Sequence, residues 1–307
     1  MNGAAVGLSG LPTVGAALAA ATSRLAAAGI EEARREARLL LAAVLAGGMT
    51  AVVADARRAL TETEAASYER FVARRSAREP VAYLLGCAGF WTLDLAVDAR
   101  VLVPRADSET LIEALLEARP QGRAGAALTV LDLGTGSGCL ALALAAEWPG
   151  CRVDAVDSSE AALALARDNA TQLGLDGRVR CRRGNWGAEI SGPYDVIVAN
   201  PPYIIRAKID ALAPEVARFE PRGALDGGVD GLACYRALMP DIARLLVDDG
   251  IAALEVGAGQ AADVETIAVA AGLFAAGRRR DLGGHERCVL LTCNGVQEID
   301  RFPLALR

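Results

Sequence analysis

The sequence predicts an α/β fold with a doubly wound parallel sheet, preceded by a small helical N-terminal domain and a β-hairpin linker. From residue 127 onward, short apolar segments rich in β-branched residues alternate with segments of helical spacing, which is typical of βαβ units. Before residue 80 the apolar residues recur only at helical spacing. Between these regions the spacing changes to near alternation, which indicates a hairpin. We therefore predict three regions, which are 1–79, 80–104 and 105–307.

Length, composition and charge set broad limits on the protein. The chain has 307 residues, which suits two domains, and 53% of them are hydrophobic against 23% charged, so a sizeable core can form. The net charge is −6 and the pI ≈ 5.1. This balance argues against a broad phosphate-binding face, and we expect no direct nucleic-acid partner.

Cysteine, histidine and hydropathy indicate the compartment and exclude some site types. The cysteines number seven, without a Cys-x-x-Cys pair, which favours reduced thiols in a cytoplasmic protein. Since His285 is the only histidine, a multi-histidine metal site is excluded and no metal is expected. No apolar stretch has the length and purity of a membrane span. Residues 11–22 lack a preceding basic segment, because the first basic residue is Arg24, and we interpret them as an alanine-rich helix.

The N-terminal region is predicted to be a small helical bundle. Residues 1–12 are a loose lead-in, and helical spacing then continues to about Arg78. Thr61, followed three residues later by Glu64, forms a capping box that opens a helix. Because the bundle concentrates no chemical motif, we interpret it as a packing or partner-docking domain.

The linker combines two strand-like stretches with an aromatic pair. Residues 90–97 approach alternation, and residues 99–104 are also predicted to be extended. Phe90 and Trp91 stand out in a chain with 4% aromatic residues. Core packing is the default interpretation of this pair, and a pocket wall beside an active site is the alternative.

The third region is predicted to contain the strands and helices of the sheet. The stretch 200–229 has no periodicity, and loops of that length inside a compact domain are usually functional. The predicted strands are 128–132, 152–156, 179–181, 195–199, 251–256 and 285–292, and the predicted helices are 139–147, 159–173, 232–247 and 260–270.

The chain is organised around Asn200-Pro201-Pro202-Tyr203, which directly follows an apolar strand. Proline has no N–H and drives the preceding residue out of the helical region, so this backbone is stiff and extended. Ligands bind at the carboxyl ends of strands in an open α/β sheet. The Asn200 side-chain oxygen and the Pro201 carbonyl could therefore accept both hydrogens of a planar –NH2 group. A plain strand-terminating turn is the alternative interpretation.

A glycine-rich loop, Asp132-Leu133-Gly134-Thr135-Gly136-Ser137-Gly138, lies between a predicted strand and a predicted helix. Glycines allow a tight turn and the close approach of a ligand. The G-x-G-x-G spacing differs from the dinucleotide pattern G-x-G-x-x-G, which favours a nucleoside without a pyrophosphate. Asp157, about 20 residues beyond the loop, lies in the range for an acid that binds ribose hydroxyls. After the third strand, Asn185 could bind an adenine amino group and Trp186 could stack on the ring.

These motifs, in this order, resemble the class I S-adenosylmethionine-dependent methyltransferases that act on amide or amino nitrogen. Within that class, the chain is similar to the HemK-type glutamine N5-methyltransferases, which modify peptide chain release factors. The resemblance extends over nearly the whole chain and departs from the family pattern at Ala106, Ser108 and Asn185. Further matching stretches are residues 80–86, 90–91, 103–109, 218–221, 226–232, 254–257 and 280–287.

The resemblance implies a mostly parallel, seven-stranded methyltransferase sheet with S-adenosyl-L-methionine as the cofactor. It implies a peptide chain release factor as the protein partner, docked by the helical domain and methylated at the glutamine of its Gly-Gly-Gln motif. The cofactor site would comprise the glycine loop, Asp157, Asn185, Trp186 and Asn200. By the same resemblance, Arg105 and Glu109 lie near the methionine part of the cofactor.

The catalytic hypothesis follows from the nature of the reacting nitrogen. A methyl group on a sulfonium is already activated, so the reaction requires neither a metal nor a general base. Asn200 Oδ1 and the Pro201 carbonyl would orient the glutamine nitrogen and stabilise the positive charge that develops on it. Pro202 stiffens this segment, Tyr203 would pack on the substrate amide, and Phe90 would line the glutamine side chain.

Three alternatives remain open at the level of sequence. A glutamine methyltransferase of a ribosomal protein is the closest one. An adenine-N6 DNA methyltransferase would use the same acceptor pair but needs base flipping and a basic surface, which the acidic pI argues against. A cofactor-binding module that has lost its activity is opposed by the intact residues 200–203.

Overall fold

The computed structural model describes residues 10–294. Residues 1–9 of the predicted lead-in and the predicted third region beyond residue 294 lie outside the described residues. The helices are α1 (Val14–Ala27), α2 (Ala33–Val44), α3 (Gly48–Ala54), α4 (Glu62–Ser76), α5 (Val81–Leu85), α6 (Glu109–Ala118), α7 (Cys139–Glu147), α8 (Glu160–Gln172), α9 (Pro214–Phe219), α10 (Ala233–Leu245) and α11 (Ala261–Ala270). The strands are β1 (Cys87–Phe90), β2 (Leu93–Ala96), β3 (Thr129–Leu133), β4 (Arg152–Asp157), β5 (Val179–Arg183), β6 (Tyr194–Ala199), β7 (Leu246–Glu255), β8 (Phe274–Arg280) and β9 (Glu286–Thr292).

Contacts divide the chain into two compact units. The first comprises the residues up to Gly86 together with Pro214–Phe219, and the second comprises Cys87–Ala213 together with the residues from Glu220 onward. The division falls after Gly86 rather than after residue 79, and the β1–β2 hairpin groups with the second unit. The boundaries 1–79, 80–104 and 105–307 stay a prediction.

The N-terminal unit is a helical bundle around an apolar core. Side chains at helical spacing on α2, among them Leu40 and Leu41, are fully buried in this core. The predicted capping box is confirmed, because the Thr61 hydroxyl accepts from the Glu64 N–H and the Glu64 carboxylate accepts from the Thr61 N–H at the start of α4. The buried Tyr68 donates its hydroxyl to the Ala37 carbonyl at 2.9 Å, which ties α4 to α2.

Helix α9 belongs to the N-terminal unit although the chain reaches it only after β6. Arg75, whose side chain is 5% exposed, pairs with Glu36 and, at 2.8 Å, with Glu215 of α9. Arg78 pairs with the second oxygen of Glu215, also at 2.8 Å. Glu215 is thus the residue through which two arginines hold α9 in this unit. The stretch 200–229, predicted as one long loop, therefore contains a short helix of the other unit.

Within the described residues, the second unit is built on a seven-stranded sheet in the order β5-β4-β3-β6-β7-β9-β8. Strands β3 to β7 pair in parallel, and β9 is antiparallel to both of its neighbours. The predicted fold class, a doubly wound and mostly parallel sheet, is confirmed. Successive side chains of β6 alternate between two apolar cores. Val196 and Val198 lie on one side of the sheet, and Ile197 and Ala199 lie on the other.

The topology creates a switch point between β3 and β6. The chain leaves β3 toward β4 on one side, and β6 pairs with the other side of β3 in the register Leu133↔Ala199. Segments that follow β3 and β6 therefore begin side by side at the carboxyl edge of the sheet. In open α/β sheets, this is where ligands bind.

Two predictions for the linker were wrong in detail. Residues 99–104 contain no strand. The chain instead makes a turn at residues 98–101, which the hydrogen bond from Val101 N to Asp98 O (3.1 Å) closes. The stretch 90–97 is not one strand, because Trp91 adopts a positive φ of 55° between β1 and β2. Carboxylates fix this turn, since the Trp91 N–H donates to Glu109 and its indole N–H donates to Glu147, both at 2.7 Å.

Among residues 10–294, no single helix is both long and apolar enough to cross a bilayer. Helices α2 and α3 together reach that length and composition, but they are bent by 111° at the break between them.

Candidate active site

A cleft lies at the carboxyl edge of the sheet, at the switch point between β3 and β6. Its interior holds a volume of about 210 Å³, enough for part of a small molecule, and the cleft opens to solvent at its mouth. The predicted site residues that line it are Gly134, Thr135, Gly136, Asp157, Asn200 and Pro202. Three separate strand ends thus contribute to one cleft, as their order in the sheet requires.

The glycine loop after β3 favours glycine at two of its positions because both have a positive φ. Gly134 has a φ of 81°, and a Cβ there would lie 3.4 Å from the ring of Trp186. Gly136 has a φ of 55°, and a Cβ there would meet no atom within 4 Å. A Cβ at Gly134 would thus lie at ordinary contact distance from the Trp186 ring, whereas Gly136 leaves open space beside the backbone. Gly138, the N-cap of α7, packs against that helix and does not line the cleft.

Asp132 lies beneath the loop and is fully buried rather than lining the cleft. Its Oδ2 accepts the Thr135 hydroxyl at 2.6 Å and the Ala141 N–H at 3.2 Å. Oδ1 is also buried and has no hydrogen-bond partner among the described residues. Burial raises the pKa of the Asp132 carboxyl from 3.8 to about 7. Asp132 therefore supports the loop and keeps one acceptor unused.

Asp157 ends β4 and holds the glycine loop from the other side. Its Oδ2 accepts the Gly136 N–H at 2.9 Å, and its Oδ1 accepts the Ser159 N–H at 2.8 Å. Each carboxylate oxygen has a second lone pair, so both can still accept a hydroxyl. Asp157 lines the cleft, where its predicted role as the ribose ligand stays a prediction.

Asn185 and Trp186 lie outside the lining of the cleft. Trp186 adopts a positive φ of 53° and packs its ring over Gly134, whereas Asn185 is exposed. Adenine recognition by this pair stays a prediction. The contact between Trp186 and Gly134 brings this segment next to the glycine loop.

Asn200 is joined to a buried hydrogen-bonded chain at the base of the cleft. Its Nδ2 donates to Ser108 Oγ at 3.1 Å, and Ser108 donates to Oε2 of Glu255. Tyr203 donates its hydroxyl to Oε1 of the same carboxylate at 3.1 Å. Ser108 and Glu255 are 2% and 1% exposed. Burial raises the pKa of the Glu255 carboxyl, while the two hydrogen bonds and the charge of Arg287 oppose that shift.

The two prolines and Tyr203 are placed differently from one another. Pro201 is buried, Pro202 lines the cleft, and Tyr203 is half-buried outside the lining. Cβ atoms at Gly227 and Gly231 would come within 2.8 Å of the Tyr203 backbone, so both glycines are needed for the loop to pass. Burial raises the pKa of the Tyr203 hydroxyl, which keeps it protonated as a donor to Glu255.

Residues 90–109 contribute less to the cleft than the sequence suggested. Phe90 is 1% exposed in an apolar core, which favours the core-packing interpretation over a pocket wall. Arg105 lines the cleft and pairs with the buried carboxylate of Glu220 at 2.6 Å. Glu109 accepts from the Trp91 N–H at 2.7 Å. The contact of Phe90 with substrate stays a prediction that its burial does not support.

Ser108 and Glu255 were not predicted as site residues. A glutamate at the end of the apolar stretch 251–256 is the signal that could have indicated Glu255, because an acid there must be buried and partnered. Ser108 has no such signal, since a serine before a helix is ordinarily a cap. Within the described part of the chain, no cluster of histidine, cysteine and acidic residues could hold a metal ion.

The sheet order with its single reversed strand, the glycine loop after β3 and the acid that ends β4 together define a class I S-adenosylmethionine-dependent methyltransferase. The PrmC N-terminal domain family matches residues 16–86, and the Methyltransferase small domain family matches residues 106–217. The chain is 48% identical to a release factor glutamine methyltransferase of Rhodospirillum rubrum over 87% of this chain and 81% of the relative. It is 41% identical to one of Caulobacter vibrioides over 91% and 96% of the two chains. The chain belongs to the release factor glutamine methyltransferase family.

A solved structure supports the fold independently. The hMettl16 catalytic domain matches with a TM-score of 0.55 over 70% of this chain and 82% of that one, at 14% identity. At that identity the likeness concerns the fold alone.

The residues of the cleft fit S-adenosylmethionine. The open space at Gly136 allows a ligand to approach the backbone, and Asp157 offers two carboxylate oxygens to hydroxyls. These features suit a nucleoside joined to an amino acid.

Proposed function

We propose that this chain transfers the methyl group of S-adenosylmethionine to the side-chain amide nitrogen of a glutamine in a peptide chain release factor. The observation that carries the proposal is the orientation of Asn200 in the cleft, with its Nδ2 bound to Ser108 and its Oδ1 left as an acceptor. The relatives named as release factor glutamine methyltransferases support this substrate. The family resemblance extends it to the glutamine of the Gly-Gly-Gln motif.

The residues of the chain act by binding and orienting the reactants. S-adenosylmethionine supplies, when bound, a methyl group already activated by its positively charged sulfur. Asp157 would accept the ribose hydroxyls, and the glycine loop would leave room for the nucleoside. The loop is itself held by Asp157 and Asp132, so the site is formed before binding.

Asn200 and Pro201 would hold the substrate nitrogen. An amide nitrogen is a poor nucleophile because its lone pair is delocalised into its carbonyl. Asn200 Oδ1 and the Pro201 carbonyl, by accepting its two hydrogens, would fix its direction and stabilise the positive charge that develops as the new bond forms. One of these hydrogens then leaves as a proton, which restores a neutral amide.

The partners follow from the same proposal. The release factor is the protein substrate, the helical unit is its docking domain, and the protein works in the cytoplasm. The net charge of −6 gives no support to a DNA or RNA substrate.

The proposal is tested by substrate competition. The purified protein is incubated with methyl-labelled S-adenosylmethionine and a release factor, a mixture of ribosomal proteins or plasmid DNA. We expect one methyl group on the Gly-Gly-Gln glutamine, seen by peptide mass spectrometry, and none on a release factor whose glutamine is changed to asparagine. Labelling of ribosomal protein or DNA in preference to the release factor would contradict the proposal.

A further inference from the structure

The side chain of Asn200 has two ends with opposite hydrogen-bonding character, and only one end suits the substrate. An amide can turn about its last bond and present either its oxygen or its NH2 group. Presented to a substrate –NH2, the oxygen accepts a hydrogen, whereas the NH2 group would place donor against donor. Something in the protein must therefore select one orientation of Asn200.

Glu255 sets the direction of the hydrogen bonds that reach Asn200. Its two oxygens accept from Ser108 and from Tyr203, so the single hydroxyl proton of Ser108 points at Glu255. Ser108 Oγ can then only accept from its other neighbour. That neighbour is Asn200, whose Nδ2 lies 3.1 Å away.

We propose that Ser108 and Glu255 are positioning residues that lock the amide of Asn200 with its oxygen toward the substrate. The inference rests on the proposed function, because it requires Asn200 to accept from the substrate nitrogen. Glu255 lies outside the lining of the cleft, and Ser108, which lines it beside Asn200, acts through the hydrogen bonds that run from Asn200 to Ser108 and on to Glu255. Burial of Ser108 and Glu255 at 2% and 1% exposure keeps water from replacing these bonds.

The position of the three residues explains why the lock is rigid. Ser108 comes immediately before α6, Asn200 follows β6, and Glu255 ends β7, the strand that pairs with β6. Tyr235 holds the Glu255 backbone by donating its hydroxyl to the Glu255 carbonyl at 2.7 Å. Ser108, Asn200 and Glu255 are thus held by three separate elements of the same unit.

The test measures turnover and cofactor affinity of single and double variants with a release factor as substrate. Ser108→Ala removes the acceptor for Asn200, and we expect kcat to fall on the order of 10- to 100-fold, the cost of losing the orientation of a reacting group. The affinity for S-adenosylmethionine and the KM for the release factor should stay unchanged. Ser108→Thr keeps a hydroxyl and should recover most of kcat. Thr110→Val, which removes a buried hydroxyl two residues away that makes no hydrogen bond to Asn200 or Glu255, should leave kcat as in the wild type.

Glu255→Gln tests the direction of the bonds without a change of size. The glutamine brings an NH2 group to a place where Ser108 and Tyr203 both donate, so we expect kcat to fall and cofactor affinity to persist. In a Ser108→Ala background, Glu255→Gln should lower kcat by a smaller factor than it does in the wild type. The reason is that both residues orient Asn200 through the same hydrogen bonds. Independent, multiplicative losses would overturn the inference.

Two further outcomes separate this inference from the proposed function. Wild-type kcat in Ser108→Ala, or equal loss in Ser108→Ala and Ser108→Thr, overturns the lock while leaving the proposed function in place if Asn200→Ala is inactive. Full activity of Asn200→Ala would remove the proposed function itself. Thermal melting of each variant verifies that it is folded.

Discussion

The side-chain amide nitrogen of Asn200 lies 3.1 Å from the hydroxyl oxygen of Ser108, 92 residues earlier in the chain. This contact joins the segment after β6 to the start of α6 and leaves Oδ1 as the remaining hydrogen-bonding end of Asn200, a residue that lines the cleft. Because hydrogen-bond donors and acceptors are fixed along this path, the orientation of one amide becomes a property of the fold. The proposed binding of the substrate nitrogen depends on that orientation.

Asp157 is predicted to hold the cofactor through its carboxylate. Asp157→Ala removes the acceptor of the Gly136 N–H together with the proposed ribose ligand, so we expect S-adenosylmethionine to bind about 10- to 100-fold more weakly, the cost of one to two charge-assisted hydrogen bonds. Isothermal titration calorimetry measures this directly. Asp154→Asn is the matched control, because Asp154 lies on the same strand but accepts from Tyr194 and does not line the cleft. An unchanged dissociation constant for Asp157→Ala would contradict the assignment.

Asp132 should make the stability of the cofactor-free protein depend on pH. Burial raises its pKa from 3.8 to about 7, so between these values the folded protein binds more protons than the unfolded chain. The free energy of unfolding from this group therefore falls as the pH rises from about 4 to about 7 and is constant above that range. In Asp132→Asn, which keeps an oxygen for Thr135, this fall should be missing. Urea unfolding of both proteins at pH 5 and pH 8 measures the difference, and an identical pH dependence would contradict it.

Gly134 is predicted to favour glycine because of its backbone conformation. Gly134→Ala forces an L-residue to a φ of 81°, so we expect a loss of about 1–2 kcal/mol of stability. Gly177→Ala is the control, because that glycine is exposed and a Cβ there meets nothing within 4 Å. Thermal unfolding compares the two. Equal melting temperatures for both variants would show that the loop tolerates the side chain.

Glu215 is predicted to hold α9 in the N-terminal unit. Glu215→Ala leaves the buried Arg75 with Glu36 as its remaining partner, so we expect a loss of about 1–3 kcal/mol, below that of a buried charge left without any partner. We expect faster hydrogen exchange of residues 214–219 and a lower melting temperature. Glu69→Ala, which breaks an exposed pair with Arg24, should change stability by less than about 1 kcal/mol. Equal effects of the two variants would contradict the role of Glu215.

The sequence predicted the sheet because its strands carry a strong signal. The apolar run that ends at Ala199 is typical of a parallel strand, because such a strand is buried on both faces. The glycine loop marks the end of β3. Strand β8 was not predicted, because its sequence of alanine, glycine and arginine lacks β-branched residues. It lies at the edge of the sheet, and its arginines pair with acids, as Arg278 does with Glu265 and Glu286.

Parts of the site were predictable and others were not. Motifs and positions after predicted strands indicate Asn200, Asp157 and the glycines of the loop. Ser108 reaches Asn200 only through the packing of α6 beside β7, and spacing along the chain gives no indication of that contact. Phe90 is the opposite case, because an aromatic residue that the sequence placed at the site is buried in the core. Long-range packing decides both cases.

The most direct test of the account is the activity of Asn200→Ala. Turnover of a release factor and the affinity for S-adenosylmethionine are measured on the same preparation. We expect kcat to fall by about 10²- to 10³-fold, as for the loss of one group that stabilises developing charge, while the protein still binds the cofactor. Turnover at the wild-type rate would contradict the central claim that Asn200 holds the substrate nitrogen.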